Sequence, residues 1–153
     1  MDISFRRPTE SDARIFVTWK YDGIYSFYNN DKTEAKKEWI ETIYNDESAY
    51  TILNGTEVIG NCCFEYDEDE KEYEFGIQMR PDLTGKGNGV HYVSAAIEFG
   101  RNTYGFNTLV LLVADFNKRA YKLYSNLGFL KFDEFDTICN GEDTHFLVMR
   151  KTF

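Results

Sequence analysis

Apolar and polar positions alternate along some stretches of the chain and recur every three or four residues along others, and the changes of rhythm mark out its elements. Ile3-Ser4-Phe5-Arg6 alternates and reads as a first strand. Thr9-Glu10-Ser11-Asp12 has the form of a capping box with Asp in place of Glu, so a helix is expected next, with Ile15, Phe16 and Trp19 on one side. Asp31-Lys32-Thr33-Glu34 reads as a second helix start, and Ala35, Trp39, Ile40 and Ile43 are assigned to that helix's apolar face. Strands follow. Tyr50 to Leu53 and Val58 to Phe64 flank Asn54-Gly55, a strong hairpin signal. The acidic run Asp67 to Glu70 makes a second turn. Lys71 to Met79 then alternates cleanly, with Tyr73, Phe75, Ile77 and Met79 on one face and Glu72, Glu74, Gly76 and Gln78 on the other. Pro81 ends that strand.

The second half has a different rhythm. Gly87 to Asn102 carries Val90, Val93, Ala96 and Ile97 at helical spacing. Thr108 to Val113 is a continuous apolar run, the mark of a strand covered on both faces. Asn117 suits an N-cap, Ala120, Leu123, Tyr124 and Leu127 follow at i, i+3, i+4, i+7, and Gly128 suits the helix end. Phe129 to Phe135 and His145 to Met149 read as closing strands, with Asn140-Gly141 between them. The predicted order is strand, two helices, three antiparallel strands, helix, strand, helix, two strands. That order belongs to an α+β (mixed α/β) domain, read as one unit over residues 1–153.

Composition narrows the function classes. A net charge of −9 sets the chain against nucleic acid and anionic membranes, which select a basic face, and leans slightly toward a cationic substrate. No apolar run approaches the roughly 20 residues of a membrane span. The start Met1 to Arg7 lacks the apolar segment of a signal peptide, and Cys62, Cys63 and Cys139 form no disulfide framework, so a reduced, cytoplasmic setting is expected. Cys62 and Cys63 are adjacent and should point to opposite faces of a strand. His91 and His145 stand apart without metal-ligand spacing, and Asp67 to Glu70 lacks calcium-loop spacing, so no metal site is expected.

Candidate chemistry centres on Thr84-Gly85-Lys86-Gly87-Asn88-Gly89, which links a strand to a helix. Alternate glycines at a helix start let the backbone approach a bulky anion, with free N–H groups and the helix dipole aimed at it. Diphosphate fits, and Lys86 adds a positive charge. A P-loop would need Ser or Thr after Lys86, where Gly87 stands, and a dinucleotide fingerprint would need a glycine at Val90 and a parallel βαβ unit.

This turn, followed by Asn117-Lys118-Arg119-Ala120-Tyr121-Lys122-Leu123-Tyr124-Ser125-Asn126-Leu127-Gly128-Phe129, resembles the GCN5-related N-acetyltransferases (GNAT). The turn matches that family's Gln/Arg-x-x-Gly-x-Gly/Ala pattern except that Thr84 replaces the Gln or Arg. The second run matches Asn-x-x-Ala-x-x-x-Tyr-x-x-x-Gly-Phe throughout. Within the family the chain looks most like the bacterial ribosomal-protein and spermidine acetyltransferase branches. The resemblance implies a mostly antiparallel sheet, splayed at its centre between the strand of Ile77 and that of Val110, with helices on both faces. Acetyl-CoA would enter the gap, its pantetheine pairing with the backbone near Ile77 and Met79 and its pyrophosphate on the N–H groups of Gly85, Gly87, Asn88 and Gly89. Thr84, Lys86, Asn117, Ala120 and Lys122 complete the implied cofactor set, and Lys118 and Arg119 extend its basic group.

Acetyl transfer to an amine by direct attack needs the ammonium deprotonated, the carbonyl polarised and the leaving thiolate protonated. Tyr124, at the family's tyrosine position, is the expected acid. Glu74, on the polar side of its strand, is the expected base, directly or through water, with Glu72 in reserve. Tyr21, Tyr25, Phe27 and Tyr28 follow the first helix, where the family forms its acceptor pocket, and Tyr25 and Tyr28 are taken as substrate-binding. The implied acceptor is a small amine, a polyamine or a peptide N-terminus, and the family is often homodimeric. A non-catalytic acyl-CoA-binding module and a nucleotide-binding enzyme are the rival readings; only catalysis requires Tyr124.

Overall fold

The computed structural model describes residues 1–153. β1 (Ile3–Arg6) leads into α1 (Glu10–Phe16), a 3₁₀ segment over Gly23–Tyr28, and α2 (Glu34–Glu41). β2 (Ala49–Asn54), β3 (Glu57–Asp67) and β4 (Glu72–Met79) form a meander, followed by α3 (Gly89–Tyr104), β5 (Thr108–Ala114), α4 (Lys118–Asn126), β6 (Leu130–Cys139) and β7 (Glu142–Thr152). The seven strands make one sheet in the order β1-β2-β3-β4-β5-β7-β6. Every neighbouring pair is antiparallel except β4 and β5.

The expected starts and stops hold where a side chain closes them. Thr9 and Asp12 form the reciprocal box at α1, and Thr33 caps α2 by accepting from the Lys36 N–H. Asp12 does more than cap. Buried beneath β1 and β2, it accepts from the Arg6 guanidinium at 2.5 and 3.2 Å and from the Thr51 hydroxyl at 2.7 Å. Burial works to raise its pKa, but the Arg6, Thr51 and Thr9 donors outweigh it and leave the carboxyl below its ordinary value. The box thus ties the first helix to the sheet edge.

Several boundaries differ from the sequence reading. α1 ends at Phe16, and Trp19 reaches the core from the following turn, its ring 5.1 Å from that of Phe16. Ala35 is exposed; α2 turns Lys36 and Ile40 inward instead, and Ile43 is buried from the 3₁₀ turn that follows it. Val90 is exposed at the start of α3, whereas Val93, Ala96 and Ile97 are buried. The closing strands run longer than the alternation suggested. Asn140 and Gly141, at φ of 52° and 78°, form the tight turn that joins them.

One apolar core packs α3 and α4 against the sheet through Phe64, Phe75, Val93, Leu109 and Leu111. A second, on the other face, gathers Phe16 and Ile40 from α1 and α2 with Trp19 and Ile43 from the turns that follow them. Adjacent cysteines separate as expected, Cys62 into the first core and Cys63 onto the opposite face, beside Gly76. No helix is long and apolar enough to cross a membrane.

Candidate active site

The sheet opens where β4 and β5 meet. Their register holds only Tyr73 to Leu109 and Glu74 to Val110, after which the strands diverge. β4 continues beside β3, and the Arg80 N–H bonds the Ile59 carbonyl at 2.8 Å. In an antiparallel ladder hydrogen-bonded pairs alternate, so Gln78 and Gly76 also face β3 while the backbone groups of Phe75, Ile77 and Met79 face the gap. Of these, the Met79 carbonyl accepts from the Tyr21 hydroxyl at 2.5 Å.

A cleft of about 340 Å³ lies in this gap. Of the residues expected from the sequence, Tyr25, Tyr28, Ile77, Met79, Thr84, Asn117, Ala120 and Tyr124 line it. Gly85, Lys86, Gly87, Asn88 and Gly89 form the loop beyond Thr84, at the N-terminus of α3. Lys122 and Lys118 project from α4 into solvent, and Lys118 pairs with Asp115 at 3.3 Å. Glu74 does not line the cleft.

The glycine loop has the character of an anion cradle. Gly85 and Gly87 sit at φ of +72° and +80°. No backbone N–H from Gly85 through Val90 finds an acceptor in the protein, and Asn88 places no side-chain cap on α3. A row of unpaired donors at the start of a sixteen-residue helix is the arrangement that holds a phosphate. Two anchors fix the loop's entrance. Arg80 is held by Asp82 at 2.6 Å and by Glu57 at 2.5 Å, and the Thr84 hydroxyl donates to the Pro81 carbonyl at 2.8 Å. Thr84 therefore spends its side chain on the loop itself, where the family pattern has Gln or Arg. Arg119 closes the other side, its guanidinium 4.2 Å over the Tyr25 ring and 2.7 Å from where a Gly85 Cβ would stand.

Tyr124 lines the cleft from α4. Its ring packs edge-on against Phe129 at 5.8 Å, and its hydroxyl makes no hydrogen bond within the protein. No fully buried side-chain polar atom lacks a partner, so that hydroxyl opens onto the cleft. Burial, with a smaller push from Tyr28, raises its pKa, so it holds its proton. Asn117 uses both ends of its amide: Oδ1 caps α4 at the Ala120 N–H, and Nδ2 donates to the Tyr28 hydroxyl at 3.1 Å. One side chain thereby links the helix bearing Tyr124 to the segment bearing Tyr25 and Tyr28.

The two carboxylates on β4 part company. Arg150 grips Glu72 through two bonds of 2.8 and 2.6 Å, which removes the reserve base from consideration. Glu74 belongs to the last registered pair before the gap and is cross-strand from Glu65. Desolvation, then the charges of Glu65 and Asp67, raise its pKa. His145 lies outside the cleft between Glu134 and Asp136 on β6.

Four features of the cleft escaped the sequence reading. Asn30 and Gln78 form a reciprocal amide pair of 2.8 and 3.1 Å, and Asn61 joins it at 3.2 Å. This neutral, internally satisfied cluster sets one wall. Trp39 and Cys63 extend that wall, and Lys36 faces it from α2. Lys36 had a signal: with Trp39, Ile40 and Ile43 it makes an i, i+3, i+4, i+7 set, a better stripe than the one starting at Ala35. The amide cluster had none, since its members come from distant parts of the chain.

Residues 2–130 match the acetyltransferase (GNAT) domain family. No curated protein matches the chain in sequence. Among solved structures, a chimera of the spermidine N-acetyltransferase SpeG from Vibrio cholerae and hSSAT superposes with a TM-score of 0.79 at 20% identity, covering 99% of this chain and 96% of that one. A GNAT-family acetyltransferase from Bacillus anthracis gives 0.78 at 13% identity, covering 99% and 95%. The dodecameric spermidine N-acetyltransferase of Vibrio cholerae gives 0.72 at 19%, covering 99% and 94%. At these identities the likeness to the solved structures is one of fold.

Proposed function

This chain belongs to the GNAT acetyltransferase family, and from that premise we propose that it moves the acetyl group of acetyl-CoA onto a primary amine by direct attack. The observation that carries the reading is Tyr124, a protonated phenol opening onto the cleft beyond a loop of unpaired N–H groups. The loop from Gly85 to Gly89 takes the pyrophosphate, and the gap-facing backbone groups of Ile77 and the Met79 N–H take the pantetheine, the Met79 carbonyl being held by Tyr21. The amine nitrogen attacks the thioester carbonyl carbon, the C–S bond breaks, and Tyr124 gives its proton to the departing sulfur. The proton lost by the amine passes through water toward Glu74, which lies on β4 outside the cleft lining, and the phenol is reprotonated from solvent. Amide and free CoA result.

The test is acetyl-CoA-dependent release of free CoA across an amine panel. Glu74→Gln is expected to lower kcat/KM at neutral pH on the order of tenfold to a hundredfold. The raised Glu74 pKa places the loss of base function above the ordinary carboxylate range: activity is supported above that pKa and falls as pH drops through it. The variant's deficit should shrink at high pH, where the free amine no longer needs a base. A constant wild-type rate across pH in the variant would remove Glu74 from the reaction.

The three free cysteines support a reducing, cytoplasmic setting. The homodimer reading draws support from β6, an outer edge strand exposing Leu130, Phe135 and Ile138. A monomeric mass in sedimentation would refute self-association.

A further inference from the structure

The acidic surplus of the chain is absent from the cleft. Its acidic runs lie at the β3–β4 turn and along β6, and no Asp or Glu lines the cleft from any element. The charged side chains that do are Arg119 and Lys36. Arg119 serves the glycine-loop end, over Tyr25 and against Gly85. Lys36 lines the cleft from α2, half-buried, with its Nζ donating to the Tyr28 carbonyl at 3.0 Å, the same carbonyl that accepts from Gln78. None of the protein's ion pairs includes it. Burial pushes its pKa down to about 8, against a small opposing influence of Cys139 on β6, so it remains largely a cation at neutral pH. The acidic residues of α2, Glu34, Glu38 and Glu41, are exposed and turn away from the cleft.

A half-buried ammonium without a counter-ion, beside a neutral amide wall, selects for an anion. It repels a second ammonium at short range, as a polyamine would bring. Resting on the acetyltransferase reading above, we propose that the acceptor is an amine carrying a carboxylate, with Lys36 as the carboxylate's counter-ion and the amino group directed toward Tyr124. By their names, several structural neighbours act on spermidine; this chain departs from them in the charge it accepts.

The experiment compares matched pairs that differ only by the carboxylate: lysine with cadaverine, ornithine with putrescine, tyrosine with tyramine, and spermidine alongside. CoA release is followed at saturating acetyl-CoA. The carboxylate-bearing member is expected to have the higher kcat/KM by on the order of tenfold, the worth of one charge-assisted contact. Lys36→Met should reduce that ratio to near one, and Lys36→Arg should restore much of it. Preference for spermidine or the decarboxylated amines, or a ratio that survives Lys36→Met, overturns the acceptor assignment while leaving the acetyltransferase reading intact. Absence of CoA release with every acceptor, in protein that is thermally stabilised by acetyl-CoA, overturns both.

Discussion

Tyr124→Phe lowers kcat for acetyl transfer by about a hundredfold or more, the scale of a lost general acid, while acetyl-CoA still binds. The substitution removes one oxygen and leaves the ring where it packs against Phe129. That oxygen has no hydrogen-bond partner in the protein, so its loss orphans nothing and costs the fold little. Its raised pKa keeps it protonated across the neutral range, which is what donation to a thiolate requires. The step it serves comes late, when the C–S bond breaks, so the effect should fall on kcat and spare the KM for acetyl-CoA. Acetyl-CoA affinity is read by thermal shift or calorimetry on the same protein. An acceptor whose attack is itself slow would show a smaller effect, so the comparison uses the best acceptor of the panel. Wild-type turnover in the variant would make Tyr124 a packing residue of the α4 stripe with Leu123 and Leu127.

How much of this was legible beforehand follows from where the determining information lies. The capping box at Thr9, the Asn54-Gly55 hairpin and the α4 stripe are set by neighbours in sequence, and the structure places them as read. The glycine loop was legible for the same reason, because positive φ and unpaired N–H groups depend on Gly85 and Gly87 themselves. What failed depended on tertiary partners. Trp19 lies beyond its helix because Phe16 and α2 offer a place for the ring. The β6–β7 hairpin outruns its alternating pattern because β5 templates β7 over Phe146 to Thr152 and β7 pairs with β6 on to the Asn140-Gly141 turn. The role of Glu72 turned on Arg150, which lies far along the chain. Net charge says least about the lining of the cleft. A whole-chain total of −9 leaned toward a cationic substrate, yet the cleft holds two cations and no carboxylate.

The glycine loop yields the second large effect. Gly85→Ala/Gly87→Ala should weaken acetyl-CoA binding by roughly thirtyfold to nearly a thousandfold, because each alanine held in the left-handed region costs roughly 1–2 kcal/mol and the two costs add. Without ligand the loop can relax toward negative φ, so the penalty falls on the bound state, where the N–H row must stay convergent. The two positions contribute differently. A Cβ at Gly87 meets nothing within 4 Å, so its effect is backbone strain alone. A Cβ at Gly85 also lies 2.7 Å from the Arg119 guanidinium and would displace it from Tyr25. Gly85→Ala should therefore disturb both the phosphate end and the acceptor side, and Gly87→Ala only the former. Gly55→Ala supplies the control, since Gly55 has φ +61° and open space around it in the β2–β3 turn, away from the cleft. It should lower thermal stability yet leave acetyl-CoA affinity unchanged. At saturating acetyl-CoA and acceptor the double variant should recover most of its kcat, because Tyr124 and β4 are untouched. Unchanged affinity in the double variant would mean that the N–H row of Gly85 to Val90 is not the phosphate seat.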